Sequence, residues 1–201
     1  MGPTFTFTTR DGRAGLVRVA RPRDARACLA IVTEAVRERP RTLAVVEDEL
    51  WSPRVWRRHR IDWSARGVSL VAEIEGRVVG QLTCERAPRT VTRHGAEFGI
   101  TIARAARGIG VGRALLDALE AWARAHGVTR IALGVFAGNE RAITLYRSCG
   151  YTEEGVERRG VRFPEGDVDV IRMSKFLDAR QPSQATADYD AETRPRGADG
   201  A

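Results

Sequence analysis

The sequence predicts a single α/β domain, and three observations carry that expectation. Short segments that alternate apolar and polar residues interleave with segments whose apolar residues recur every three or four positions. One glycine-rich stretch joins an apolar strand directly to the clearest helix of the chain. The length of 201 residues, 43% hydrophobic and 29% charged, suits one sizeable core rather than two. That composition excludes a disordered chain, a collagen-like repeat and a disulfide-dense mini-scaffold. The longest apolar runs are a few residues, far short of the ~18 that a membrane helix needs, so no membrane partner is expected.

The elements follow in order. Residues 1–13 are rich in threonine and glycine and read as a loose N-terminus. GLVRVA, from Gly15 to Ala20, alternates as a half-buried strand does. Pro22 and Asp24 open a helix in which Ala27, Ile31 and Ala35 repeat every fourth position. Residues 39–66 carry Trp51, Trp56 and Trp63 among arginines and read as one or two short helices and a loop. SLVAEIE (69–75) and VVGQLTCE (78–85) flank Gly76-Arg77 as a hairpin. EFGITI (97–102) is the next strand. The helix that follows places Leu115, Leu116, Ala118, Leu119 and Trp122 on one side, with Gly127 at its stop. TRIALGVFA (129–137) is apolar enough for burial on both faces, and NERAITLYRSCG (139–150) is a short helix with Ile143 and Leu145 inward. Strands around 151–158 and 166–173 complete a domain spanning 14–177. Beyond Leu177 the chain turns to Ala, Asp, Pro and Gly, so 178–201 reads as a disordered tail.

The formal charge is +7, and all but one of the 33 basic residues (Lys175) are arginine. Acidic residues in the tail exceed basic ones by two, which leaves about +9 on the folded part. The arginines are scattered through every segment, a compositional habit rather than a nucleic-acid footprint. No helix-turn-helix is visible and the aromatics do not interleave with basic residues on a strand platform, so nucleic acid is not an expected partner. Cys28, Cys84 and Cys149 lie far apart without a CxxC, which fits free thiols in a reducing cytoplasm. Cys149 reads as a buried structural thiol. His59, His94 and His126 lack metal-ligand spacing, and no metal is expected. The N-terminus shows no secretory signal, and its M-G-x-x-x-T match to a myristoylation signal, with Pro3 beside the glycine, reads as chance.

The most informative stretch is EFGITIARAARGIGVGRALL. Gly108, Gly110 and Gly112 lie where a strand passes into a helix, so backbone N–H groups can approach an anion closely and the helix start adds its own unpaired donors. Arg107 and Arg113 flank the turn with mobile positive charge. A phosphate or pyrophosphate site is expected; a tight helix start without a ligand is the alternative. The dinucleotide fingerprint fails because Arg113 stands where its third glycine belongs, and a P-loop fails because the only lysine is Lys175.

R-x-x-G-x-G at 107–112, the amphipathic helix and buried strand after it, N-x-x-A-x-x-L-Y at 139–146 and C-G-Y at 149–151 together resemble the GNAT N-acetyltransferases. The resemblance covers roughly residues 15–177 and is specific over 97–151. It implies the GNAT fold: a mixed, mostly antiparallel sheet of about seven strands, flanked by helices and splayed between the fourth and fifth. It implies acetyl-CoA as acyl donor, with its pyrophosphate on Gly108, Ile109, Gly110, Val111, Gly112 and Arg113, and Arg107 supporting the turn. The pantetheine arm would lie along Ile100, Thr101 and Ile102, where a backbone N–H near Ile102 can polarise the thioester carbonyl. Asn139 is a good helix cap in its own right; by resemblance it also contacts the pantetheine arm. Tyr146 would sit beside the sulfur and protonate the departing thiolate.

Attack by an amine needs its neutral form, and an alkylammonium of pKa ~10 is deprotonated only about one part in a thousand at pH 7. Glu97, opening the EFGITI strand, is the candidate base, since the local string resembles polyamine-type acetyltransferases. A surface glutamate paired with an arginine is the alternative, and His94 is a second nearby candidate. Enzymes that acetylate a ribosomal protein carry a glutamate five residues before the asparagine, where this chain has Gly134. The usual proline after the strand is replaced by Ala103-Arg104. The expected function is transfer of an acetyl group to a primary amine of a small molecule (polyamine, amino acid or antibiotic) by direct attack in a ternary complex. A protein N-terminus or lysine is the alternative acceptor, and a non-catalytic sensor or nucleic-acid module the alternative class. The acceptor would pass residues 39–66 and the 86–95 turn, with Trp51 and Trp56 shaping its pocket. Such folds often pair through strand edges, so a homodimer is an expected arrangement.

Overall fold

The structure is a computed structural model, and it describes residues 4–50, 52–56 and 67–178. Its frame is one eight-stranded sheet in the order β1-β2-β3-β4-β5-β6-β8-β7. The strands are β1 (Thr4–Thr8), β2 (Ala14–Val19), β3 (Gly67–Ile74), β4 (Arg77–Arg86), β5 (Gly95–Ile102), β6 (Arg130–Phe136), β7 (Thr152–Phe163) and β8 (Gly166–Phe176). All neighbours are antiparallel except β5 and β6, which run parallel. Against this sheet pack α1 (Ala25–Arg37), α2 (Val111–Ala125) and α3 (Glu140–Ser148).

The eight strands agree with the expected sheet of about seven, and one finding corrects the sequence reading: part of the N-terminus expected to be loose forms β1, in register with β2 from Thr4↔Arg18 to Thr8↔Ala14. Thr4-Phe5-Thr6-Phe7-Thr8 is itself an alternating pattern, and Phe5 and Phe7 turn toward the main core while the threonines face out. The expected tail lies, from residue 179 onward, outside the described residues, as do Trp51, His59 and Trp63.

Strand alternation sorts the helices to opposite faces. Leu70, Ala72 and Ile74 of β3 belong to the main core with Leu115, Leu116 and Leu119 of α2. Val71, between them in sequence, faces the other way and meets Cys28 of α1 and Trp56. Trp56 is therefore core, not a pocket wall as expected. Its large apolar ring finds burial against β3 and α1, which outweighs exposure at a cavity mouth. Asp24, just before α1, is buried and takes a bidentate bond from Arg18 of β2, which also pairs with Glu73. That pins the start of α1 to the sheet.

The feature that positions the site is where pairing stops. β5 and β6 pair only at Gly95↔Arg130, Ala96↔Ile131 and Glu97↔Ala132, while β5 continues on its other edge with β4 as far as Ile102↔Gly80. The sheet splays open beyond Glu97. Ala103 N–H bonds to Val79 O on the β4 side, so by alternation the backbone groups of Phe98, Ile100 and Ile102 point into the splay.

Candidate active site

The splay opens into a cavity of about 1260 Å³ that reaches from the glycine turn to the ends of β7 and β8. Ile100, Thr101, Ile102, Arg107, Gly108, Ile109, Gly110, Gly112, Arg113, Asn139, Tyr146 and Glu97 all border it, so the structure brings together nearly every residue singled out from sequence. Val111, also expected at the site, does not border the cavity: its apolar side chain is buried in the main core.

At one end is the turn. Gly108 and Gly110 have φ of +81° and +104°, a region that penalises any side chain. Gly110 caps α2 in this left-handed conformation, and the first helical bond runs from Ala114 N–H to Gly110 O. The N–H groups of Gly108 through Arg113 find no acceptor among the described residues. Six unpaired donors at the positive end of a 15-residue helix make an anion cradle.

The flanking arginines are not mobile, which corrects the sequence reading. Arg107 is tied to Ile102 O at 2.9 Å and to Glu38 at 2.7 Å, and Arg113 to Ser148 O and Oγ, both at 2.9 Å. Each brings a guanidinium to rest against a carbonyl that would otherwise stand unpaired. Cationic charge also comes from two residues missed in sequence. Arg10, in the turn after β1, bonds through Nη1 to Gly108 O, and a Cβ on Gly108 would lie 3.1 Å from Nη2 of Arg141. Arg10 arrives by tertiary folding, with no spacing signal to mark it, whereas Arg141 lies within the 139–146 motif, two residues after Asn139.

In the middle lies α3. Asn139 caps it, its side chain accepting from Ala142 N–H at 3.3 Å. Tyr146, two turns on, packs edge-to-face on Phe98 at 5.9 Å and on Tyr151 at 6.0 Å. Its ring is buried and its Oη makes no hydrogen bond among the described residues. Burial pushes its phenol well above the usual range, so it stays protonated throughout the neutral range.

At the far end, Glu97 and Arg172 form an ion pair at 2.8 Å across the splay. Arg172 stands opposite Gly134 in the β6–β8 register, and a Cβ at Gly134 would come within 3.0 Å of its Nη1. Thr42 to Ala44, after α1, line the cavity here. Neither the 86–95 turn nor His94 borders it. Cys149 is a free buried thiol, as expected. No group of three or more metal-ligating side chains is found among the described residues, and no helix among them is long and apolar enough to cross a membrane.

The model of the acetyltransferase (GNAT) family matches residues 30–151. The chain belongs to that family. A GNAT protein is an acetyltransferase, and this one is an N-acetyltransferase that draws on acetyl-CoA. The L-amino acid N-acetyltransferase AaaT of Escherichia coli is 34% identical over 136 residues, covering 66% of this chain and 73% of the relative. The N-alpha-acetyltransferase RimI of Mycobacterium tuberculosis is 32% identical over 138 residues, covering 69% and 82%. Among solved structures, a ribosomal-protein-alanine N-acetyltransferase from Brucella melitensis superposes with a TM-score of 0.71 at 33% identity, over 80% of this chain and 99% of that one. The yncA acetyltransferase of Salmonella typhimurium, solved with acetyl-CoA, shares the fold with a TM-score of 0.73 at 24% identity, over 84% and 96%. The GNAT cavity here suits acetyl-CoA on its own geometry: free N–H donors for phosphates, an open strand edge for amides, and the Tyr146 hydroxyl beyond.

Proposed function

We propose that this enzyme acetylates the amine of a small molecule that also carries a carboxylate, an amino acid or a close analogue. The observation that carries the reading is the Glu97–Arg172 pair at the acceptor end of the cavity. Opposite charges side by side suit a zwitterion, with the ammonium toward Glu97 and the carboxylate toward Arg172. Gly134 makes room for that guanidinium where ribosomal-protein enzymes are expected to carry a glutamate. The likeness to an L-amino acid N-acetyltransferase supports the same class.

The chemistry follows from position. The acetyl thioester supplies the acyl group and a thiolate leaving group. Free N–H groups of β5 receive the carbonyl oxygen and hold its growing negative charge. Glu97, directly or through water, takes the ammonium proton, and the freed nitrogen lone pair forms the C–N bond as the C–S bond breaks. Tyr146 donates a hydrogen bond to the departing sulfur. With its phenol raised by burial, full proton transfer to a thiolate of pKa ~8.5 is uphill, so Tyr146 stabilises first and its proton passes late; the second proton of the attacking nitrogen, shed as the amide forms, restores the phenol. The products are an amide and a free thiol.

A second reading, acetylation of a protein N-terminus, is favoured by the likeness to RimI and to the Brucella structure. One experiment separates the two. Acetyl-CoA binding is measured by calorimetry, then thiol release against free amino acids, their decarboxylated amines, polyamines and a short peptide. Turnover confined to carboxylated small amines supports the proposal; equal turnover of decarboxylated amines, or turnover of the peptide alone, overturns it. The enzyme's own thiols do not cloud the readout, because burial pushes Cys28 and Cys84 up to about 12 and raises Cys149 as well.

A further inference from the structure

The hairpin formed by β1 and β2 starts outside the residues that match the family model, yet it reaches the phosphate end of the cavity. Its turn is tightly built. Thr9, 3% exposed, takes Arg13 N–H on its hydroxyl at 2.8 Å, donates its own N–H to Arg13 O at 2.9 Å and accepts Gly12 N–H at 2.9 Å. Asp11 pairs with Arg13 at 2.6 Å and closes the tip. Arg10, held between these anchors, points at the glycine turn 98 residues away.

Arg10 touches that turn twice. Its backbone N–H bonds to Ile109 O at 2.9 Å, and its Nη1 bonds to Gly108 O at 3.2 Å. Each carbonyl shares a planar peptide unit with the N–H of the next residue, which points the opposite way. Fixing Gly108 O and Ile109 O on one side therefore aims the N–H groups of Ile109 and Gly110 on the other. The other N–H donors of the guanidinium have no partner among the described residues, and the residue borders the cavity.

We propose that Arg10 is a positioning residue for the phosphate end of acetyl-CoA: it sets the Gly108–Gly110 turn in its anion-binding conformation and adds a positive charge beside it. The N-terminal hairpin is then a working part of the donor site rather than an appendage to the sheet. The proposal rests on acetyl-CoA binding at this turn and makes a claim that binding alone does not: the effect of Arg10 depends on the phosphates of the donor.

Two donors test it, acetyl-CoA and S-acetylpantetheine, which carries the same thioester and amides but no phosphate. In Arg10→Ala the KM for acetyl-CoA rises roughly tenfold at unchanged kcat, while kcat/KM with S-acetylpantetheine stays at the wild-type value. The wild-type KM for acetyl-CoA climbs with ionic strength, and the variant's climbs less steeply. Arg10→Gln, which keeps a donor for Gly108 O without the charge, gives an intermediate KM and guards against a folding defect in the alanine variant. An unchanged KM for acetyl-CoA in both variants, or an equal loss with both donors, overturns the proposal. A wild-type protein that binds no acetyl-CoA in calorimetry instead removes the functional reading beneath it.

Discussion

Gly134 and Arg172 face each other across the β6–β8 ladder, and the guanidinium of Arg172 occupies the space that a side chain at 134 would need. Absence on one strand is thus presence on another. The glycine at this position lets the Arg172 cation cross β6 to meet Glu97 on β5. A site that offers one carboxylate becomes a site that offers both signs.

Replacing that cation tests the substrate class. Arg172→Gln keeps the size and a hydrogen-bond donor but removes the charge. The KM for a carboxylated acceptor is expected to rise about tenfold, while the KM for acetyl-CoA stays put. Initial rates against each substrate in turn measure this.

Tyr146→Phe removes only a hydroxyl. Because Tyr146 Oη makes no hydrogen bond among the described residues, the variant should unfold at the wild-type temperature. Its kcat should fall about a hundredfold, the contribution usual for a positioned proton donor. The wild-type profile has a matching signature. Burial holds the phenol above its usual value, so the rate shows no alkaline fall from this group near pH 10, where a free phenol would lose its proton.

Gly110→Ala places a Cβ on a residue with φ of +104°. Nothing lies near enough to clash, so the expected loss is backbone strain of about 1–2 kcal/mol. The chain relieves part of that strain by turning the N–H groups away from the cradle. Calorimetry should therefore show weaker acetyl-CoA binding together with a modest drop in thermal midpoint.

The buried pair of Arg18 and Asp24 makes stability depend on pH in acid. Burial opposes the charge on Asp24, but the bidentate bond from Arg18 outweighs it and holds the carboxyl below its ordinary value. A lowered carboxylate contributes stability above its unfolded value and loses it as pH falls through the folded one, so the loss belongs below pH 3.8. Asp24→Asn should lower stability at neutral pH by about 3 kcal/mol, with Glu73 still pairing Arg18, and flatten the acid limb of the urea midpoint against pH.

Much of the fold was legible because its signals are local. The alternation of SLVAEIE and VVGQLTCE marks β3 and β4, and the glycines before Val111 mark the start of α2. Thr4 to Thr8 carried a readable alternation too, but five residues are too short to outweigh the threonines and glycines around them. Arg10 and Arg172 were not legible at all. Each reaches the cavity from an element distant in sequence, and one arginine among so many carries no pattern until the chain is folded. Arg141 lies inside the 139–146 motif, but at one of its unspecified positions. Trp56 shows the opposite error: an aromatic near a suspected pocket that the core claimed.

The early end of the β5–β6 ladder gives this protein something that sheets ordinarily keep at their borders: an unpaired edge held in the interior. Its width is that of one missing strand. What can lie there must be thin, extended and able to exchange amide hydrogen bonds, so the gap selects by cross-section before any side chain is consulted. A folded surface is too thick to enter, whereas an extended chain is not. The opening that we assign to the donor lies inside the sheet, apart from its outer edges at β1 and β7.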